Sequence, residues 1–557
     1  MEKLMDLLPN QWYATVRELT LALVRIPSLT NSAGETHFAR QLADQLVTWP
    51  YFARHPDQLR CQRTSNDAHE RYNLYAFVRG ASAQTIILAG HYDVVSIENY
   101  GALQAWAYDP EALLPRLIET LTLSDQPANR LALADLQSGD FLPGRGSLDM
   151  KSGLAAGLAV LQRAAASPDP LPYSLLFLAT PDEEQASHGM RSAVRQLPEL
   201  LGEWALAPVA AINLDSGTDE GDGREGQVVF MGSVGKLLPA VYIVGRETHA
   251  GLPFGGINAT VLAAAVTQRI ECNVRLTDTV AGETSPPPVC LKQTDLKAHY
   301  DVTTPTAAWS YYNLLTHGRS AALVFADFLA EVSAALDDMC AELQVRAGQY
   351  SLQSGQTIAL PDVTPRVLTF DQLRAHALDH DPVGTTAALA AVEQQFAADP
   401  TVDRPDYSRR IYHALWQHSG LVGPAAVVGF AAVHYPAVYV GETNAGERRL
   451  RHVVEQQAAA VAQALQTPIK LRNFFPGISD MSFLGGNLPA TDAMLVNANT
   501  PPRLLQRAGS DPILSLNLPT VNIGPWGRDY HHRNERVYMP YSFGVLPELI
   551  WRVVCNL

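Results

Sequence analysis

Cysteine is scarce in this chain. Five residues in 557, Cys61, Cys272, Cys290, Cys340 and Cys555, are odd in number, widely spaced and free of any Cys-x-x-Cys pair. No disulfide framework and no thiolate zinc site is implied. Charge is also sparse, at 17%, and unbalanced, with a formal net of −15. An acidic chain repels phosphate backbones and anionic bilayers, so neither nucleic acid nor membrane is an expected partner. No run approaches the ~18 uninterrupted apolar residues of a membrane span. The start, Met1-Glu-Lys-Leu-Met-Asp-Leu-Leu-Pro9, lacks the cationic-then-apolar layout of a secretion signal. A reducing cytoplasm is the expected compartment. No Gly-x-Ser-x-Gly elbow and no phosphate-binding Gly-Lys loop occurs, which leaves serine hydrolase and nucleotide-binding readings without support.

What is present fits a soluble globular enzyme of two to four domains, with 47% apolar residues. Asn73–Val78, Thr85–Ala89, Tyr173–Ala179 and Val209–Leu214 read as buried strands. Helical patterns alternate with them: 10–25, 35–47, the small-residue stretch 154–166 and 187–201. That alternation predicts an α/β fold with a mostly parallel sheet. The connection 96–140 is long and weakly periodic, the kind that is functional or carries short helices. After Gly232-Ser-Val-Gly235 the texture changes to an inserted α+β domain. It includes strands at 238–244 and 311–316 and a long helix at 319–345, where Leu329, Val332, Leu336, Met339 and Leu343 recur every three or four residues. The expected division is 1–235 and 421–557 for the first domain and 236–420 for the insertion, with 346–420 the least readable stretch.

Acids and histidines gather where the strands end. Tyr173–Ala179 runs into Asp182, Glu183 and Glu184, either a solvated acidic turn or carboxylates gathered around a cation. Thr85–Ala89 runs into His91 and Asp93. A His-x-Asp pair is either a hydrogen-bonded core histidine or a metal ligand with its orienting carboxylate. Asp149, among Gly144, Gly146 and Gly153, is either a helix cap or a bridge between cations. Asp215 after its strand is either an Asx turn or a ligand. Taken together the combination is more specific, because ligands of open α/β sheets bind beyond the carboxyl ends of the strands. Imidazole with carboxylates suits zinc, with cobalt or manganese as alternatives.

These motifs are similar to those of peptidase family M-20, the co-catalytic zinc aminoacylases, deacetylases, dipeptidases and carboxypeptidases. The resemblance rests on Gly90-His-Tyr-Asp-Val-Val95, Gly144-Arg-Gly-Ser-Leu-Asp-Met-Lys-Ser-Gly153, Pro181-Asp-Glu-Glu184 and Asp215. It continues in Gly245-Arg-Glu-Thr-His-Ala-Gly251 with Gly256-Ile-Asn-Ala259, in Gly477-Ile-Ser-Asp480, and in His531 four before Glu535. The size and the ending Tyr541-Ser-Phe-Gly-Val-Leu-Pro547 further resemble the branch named for arginine utilisation.

The resemblance implies a zinc-peptidase catalytic domain with an inserted ferredoxin-like lid or dimerisation domain. It implies two divalent ions, zinc, with cobalt or manganese as alternatives. Asp149 would bridge them, His91 and Asp215 complete one set, and Glu184 and His531 the other, His531 being preferred to His532 by its spacing from Glu535. Asp93 would orient His91, Glu183 would be the general base and His249 the oxyanion donor. The implied reaction is hydrolysis of a peptide or N-acyl amino acid, a small-molecule substrate, with a homodimer through the inserted domain. An N-deacylase of an arginine- or ornithine-type metabolite is the alternative to a peptidase. A catalytically silent binding protein is disfavoured because every ligand and the base are present. One feature departs from the family: Tyr311–His317 carries no arginine before Arg319 to grip a substrate carboxylate, and Arg528 is the other anion-anchor candidate.

Overall fold

The computed structural model describes residues 10–65, 67, 69–218, 227–358, 360–361, 364–399, 402–486, 488–504 and 515–557. The chain divides into two units, Met1–Ser233 with Val438–Asn487 and Leu514–Leu557, and Val234–Ala437 with Leu488–Ile513.

The first unit is built on an eight-stranded sheet. Its strands include β1 (Leu59–Arg63), β2 (Tyr72–Val78), β3 (Gln84–His91), β4 (Ser174–Thr180) and β5 (Ala207–Asn213). The order is β1-β2-β4-β3-β5, then Thr520–Asn522, Val228–Phe230 and Lys470–Arg472. Four neighbours, β4, β3, β5 and Thr520–Asn522, run parallel. All seven residues of β4 are buried, because helices cover both faces of a parallel sheet. Register aligns the strand ends: His91 lies opposite Thr180, and Ala89 opposite Asn213.

Six helices of this unit matter below: α1 (Asn10–Val24), α2 (Ala33–Leu46), α3 (Pro110–Thr122), α4 (Pro127–Ser138), α5 (Ser152–Ala166) and α6 (His188–Trp204). One core joins Val16 and Leu23 of α1, Phe38 and Leu42 of α2, and Leu154, Leu158 and Leu161 of α5 to Ile86, Leu88, Leu175 and Phe177 of the strands. Each such side chain stabilises the fold by about 1.5–3 kcal/mol. Helix α5 approaches closely because Gly153 has no side chain. A Cβ there would stand 2.0 Å from the Leu214 carbonyl oxygen, next to Asp215.

In the second unit a sheet of six strands has the order Gly235–Leu237, Ala307–Thr316, Pro239–Val244, Ala425–Phe430, Arg366–Thr369, with Val289–Asp295 also paired to Ala307–Thr316. Its period-2 alternation feeds two cores. Val241 and Ile243 face Ala259–Ile270 and the long helix Ala321–Ser354, while Ala240 and Tyr242 face Phe370–His380 and Arg404–His418. The unit therefore does not end at 420. Ala425–Phe430 pairs with Pro239–Val244 along its whole length, so the chain leaves at 437 and returns for 488–513. The apolar run at 424–440 fits either sheet by composition, and only pairing decides. Among the described residues no helix is long and apolar enough to cross a membrane.

Candidate metal centre

Every acid and imidazole of the centre comes from the first unit. β3 ends at His91, with Asp93 two residues on. The turn after β4 carries Asp182, Glu183 and Glu184, and Asp215 stands two residues beyond β5. Asp149 sits in the turn into α5, where the Asp149–Met150 peptide is cis. His531 lies on the hairpin joining the paired strands Trp526–Arg528 and Arg536–Tyr538.

Two clusters share one residue. His91, Asp149 and Asp215 each place a donor atom within 4.8 Å of the others, and so do Asp149, Glu184 and His531. Asp149 Oδ1 is 3.2 Å from His91 Nε2, and Oδ2 is 3.2 Å from His531 Nε2. Asp215 Oδ1 lies 3.7 Å and Glu183 Oε2 3.9 Å from His91 Nε2, while Glu184 Oε2 lies 3.1 Å from His531 Nε2. His532 is exposed beside it. His249 belongs to the second unit, exposed in a turn, where its Nδ1 accepts the Gly251 N–H at 3.0 Å.

Asp93 holds the centre differently from the expectation. His91 Nδ1 is 3.0 Å from the Asp93 main-chain carbonyl and 3.6 Å from its carboxylate. The carboxylate instead accepts the N–H groups of Glu183 and Glu184, at 3.0 and 3.3 Å, and the Thr30 hydroxyl at 2.9 Å. A proton on Nδ1 satisfies the carbonyl and leaves Nε2 to face Asp149 and Asp215. Asp182 is buried in an ion pair with Arg71 at 2.7 Å. Its backbone is left-handed, at φ 66°, a conformation in which aspartate is enriched among non-glycine residues.

Several further residues support the acids and imidazoles. Glu535 Oε1 accepts the N–H groups of Leu148 and Asp149, at 3.2 and 3.3 Å, and its other oxygen pairs with buried Arg145. Asn522 accepts the Asp215 N–H at 3.0 Å and donates to its carbonyl at 2.9 Å. Ser479 donates to Asp215 Oδ2 at 3.2 Å, and Asp480 accepts from Thr180 at 2.9 Å. Glu535, Ser479 and Asp480 lie in motifs already read from the sequence, whereas Asn522 does not. Arg319 and Arg528 are engaged with acids of their own unit: Arg319 with Asp327, and Arg528 with Asp135 at 2.8 Å.

The donor set calls for cations. Among the described residues no lysine or arginine forms an ion pair with Asp149, Glu183, Glu184 or Asp215. Burial drives Glu183 well above the usual carboxylate range, with Asp215, Asp480 and Glu184 adding to it against His91. Burial likewise pushes Glu184 up to about 7. Burial would lower the imidazoles, but hydrogen bonds to the acids prevail: His531 rises to about 10 and His91 rises well above its ordinary value. The acids thus favour the protonated form of both imidazoles in the ion-free centre. Three carboxylates and two imidazoles, with one carboxylate shared, match the nitrogen and oxygen donors of a pair of divalent ions, whose charge would balance the carboxylates.

Residues 122–503 match the profile of peptidase family M20/M25/M40. The chain belongs to that family. It is 32% identical over 97% of its length to protein RocB of Bacillus subtilis (strain 168), covering 94% of that protein. It is 31% identical over 36% of its length to succinyl-diaminopimelate desuccinylase 2 of Shewanella loihica, covering 44% of it. In fold it matches the M20 family metallo-carboxypeptidase Sso-CP2 of Sulfolobus solfataricus, with a TM-score of 0.51 at 10% identity over 97% of this chain and 99% of that one. As an M20-family protein it is a hydrolase of carbon–nitrogen amide bonds.

Proposed function

We propose that this hydrolase removes the acyl group from a small N-acylated amino acid. Glu183 is the general base, and His91, Asp149, Asp215, Glu184 and His531 hold two divalent cations. The observation that carries the reading is Asp149, whose two oxygens each face a different imidazole at 3.2 Å. Zinc suits this donor set, with cobalt or manganese able to substitute. When bound, the ions supply Lewis acidity to the scissile carbonyl and to water.

The chain's own residues do the rest. Glu183 takes a proton from the attacking water and returns it to the leaving amine. Its buried surroundings favour holding that proton, which a base must do between the two steps. Asp93, bonded to the N–H groups of Glu183 and Glu184, keeps the two carboxylates on separate tasks. His249 is proposed as the oxyanion donor, and the second unit that carries it as the lid and dimer contact.

An acylated nitrogen is favoured over a free peptide by two observations. A relative named as a desuccinylase shares part of the chain, and the two arginines suited to gripping an α-carboxylate are paired with Asp327 and Asp135. The test is hydrolysis of N-acyl amino acids, including arginine and ornithine derivatives, beside dipeptides, with added zinc, cobalt or manganese. Two ions per chain and activity lost on chelation are expected. Cleavage of dipeptides alone would move the reading to a peptidase, and turnover indifferent to chelation would remove the metal pair.

A further inference from the structure

The connection 96–140 takes no part in the chemistry above, and nothing above says what fixes His531. His91 ends a strand and its side chain is 2% exposed, whereas that of His531 is 42% exposed. The backbone around it is left-handed twice, with φ 57° at Asp529 and 63° at His531. Neither the sheet register nor the core sets the place of such a side chain. A ligand of this kind needs its orientation from neighbouring hydrogen bonds.

Most of those bonds come from one segment, 99–135, with Arg145 beside it. Asn99, in the 3-10 stretch Glu98–Trp106, donates from Nδ2 to the His531 carbonyl at 2.8 Å. Arg145 donates to the same carbonyl at 3.2 Å and to the Asn99 side chain at 3.3 Å. Asn129 of α4 accepts from Asn534 Nδ2 at 2.9 Å. Asp135 of α4 holds both feet of the hairpin with one oxygen: Oδ2 accepts from Arg528 Nη1 at 2.8 Å and from Arg536 Nε and Nη2 at 2.9 and 2.7 Å. Arg536, 1% exposed, in turn spans the loop by donating to the Asn534 carbonyl at 3.0 Å and to the Asp529 carboxylate.

We infer that the helical segment 99–135 is a clasp whose Asn99, Asn129 and Asp135 are positioning residues, setting the His531 imidazole against Glu184 and Asp149. This rests on the reading of His531 as a metal ligand. The clasp grips the apex of the hairpin through the His531 carbonyl and its base through the two arginines. The imidazole position is therefore written in residues some 400 positions away in sequence.

The experiment is stepwise zinc titration of metal-free full-length protein against a chromophoric chelator, which resolves two binding steps. Asp135→Asn keeps size and an acceptor but removes the charge that holds two arginines. Asn99→Ala removes an exposed contact and leaves the core intact. Each variant is expected to weaken one ion by about 10–100-fold, the range for lost outer partners of a ligand, and to leave the other ion unchanged. His531→Ala is expected to weaken that same ion. If His531→Ala still binds two ions as tightly as the parent, the ligand reading fails. If it loses one ion while Asp135→Asn and Asn99→Ala bind both as tightly as the parent, the ligand reading stands and the clasp is overturned. Equal weakening of both ions in the two clasp variants also overturns it, since a general loss of structure acts on both halves.

Discussion

The two halves of the centre are built by different means. In the His91 half, strand register brings His91 and Asp215 to adjacent carboxyl ends of one parallel sheet. Main-chain hydrogen bonds of the sheet set that arrangement, and Asn522 ties the Asp215 backbone to the next strand. In the His531 half, Glu184 comes from the turn after β4 and His531 from an exposed hairpin held by side chains. The first half is a consequence of the fold, and the second is an addition to it. They meet at Asp149, which Glu535 holds through two main-chain N–H groups.

The largest effect expected is at a residue that serves both halves without holding either ion. Glu183→Gln keeps the shape and removes the base, so kcat should fall by about 10²–10⁴-fold while two ions per chain are retained. Turnover close to the parent value would show that another group moves the proton. Asp149→Ala breaks the comparison itself. If the halves share this carboxylate, both binding steps in the zinc titration weaken together. Weakening of one step alone would mean that Asp149 serves a single ion.

The same contrast explains what could be read from the sequence. The His91 half was legible because its signal is local: an apolar run ends and an acid or histidine follows. Tyr173–Ala179 was expected and Ser174–Thr180 is found; Val209–Leu214 was expected and Ala207–Asn213 is found. Helix 154–166 became Ser152–Ala166, and the long helix of the second unit runs from Ala321 to Ser354 rather than 319–345. His531 itself was found by a motif, but its supports were not. Asn99, Asn129 and Asp135 lie in a weakly periodic stretch, and their partners are about 400 positions away, so no local pattern records them. The second unit shows the same limit. Helix Pro382–Ala398 fully buries only Thr385, and its short stripe Leu389, Val392 and Phe396 packs only half-buried on the core, which left a weak pattern to read. Ala425–Phe430 was placed in the wrong domain because an apolar strand suits any sheet until its partner is known.

Stability offers a smaller test of the contrast. Asn522→Ala removes two buried hydrogen bonds to the Asp215 backbone. Leaving such groups unsatisfied costs about 1–3 kcal/mol, seen as a lower urea midpoint of the metal-free protein. Asn99 is exposed, so Asn99→Ala should stay within about 0.5 kcal/mol. If the two variants lose equal stability, the distinction between a half made by the fold and a half added to it does not hold.

A further effect is expected in pH dependence, and it separates stability from metal binding. In the metal-free centre His531 is raised to about 10, burial opposing and hydrogen bonds to Asp149 and Glu184 prevailing. The folded state therefore keeps a proton that the unfolded chain releases near pH 6.5. The stabilisation this gives is full below about pH 6.5 and is lost as pH rises through about 10. Metal binding runs the other way, because the cation must displace that proton. Affinity for the ion at His531 should rise about tenfold per pH unit for each proton displaced, and zinc uptake at pH 7 should release protons. His531→Ala should remove one proton from that count and flatten the rise in metal-free stability on acidification from pH 10 to 6.5. A pH slope unchanged in His531→Ala would place the displaced protons in the His91 half alone.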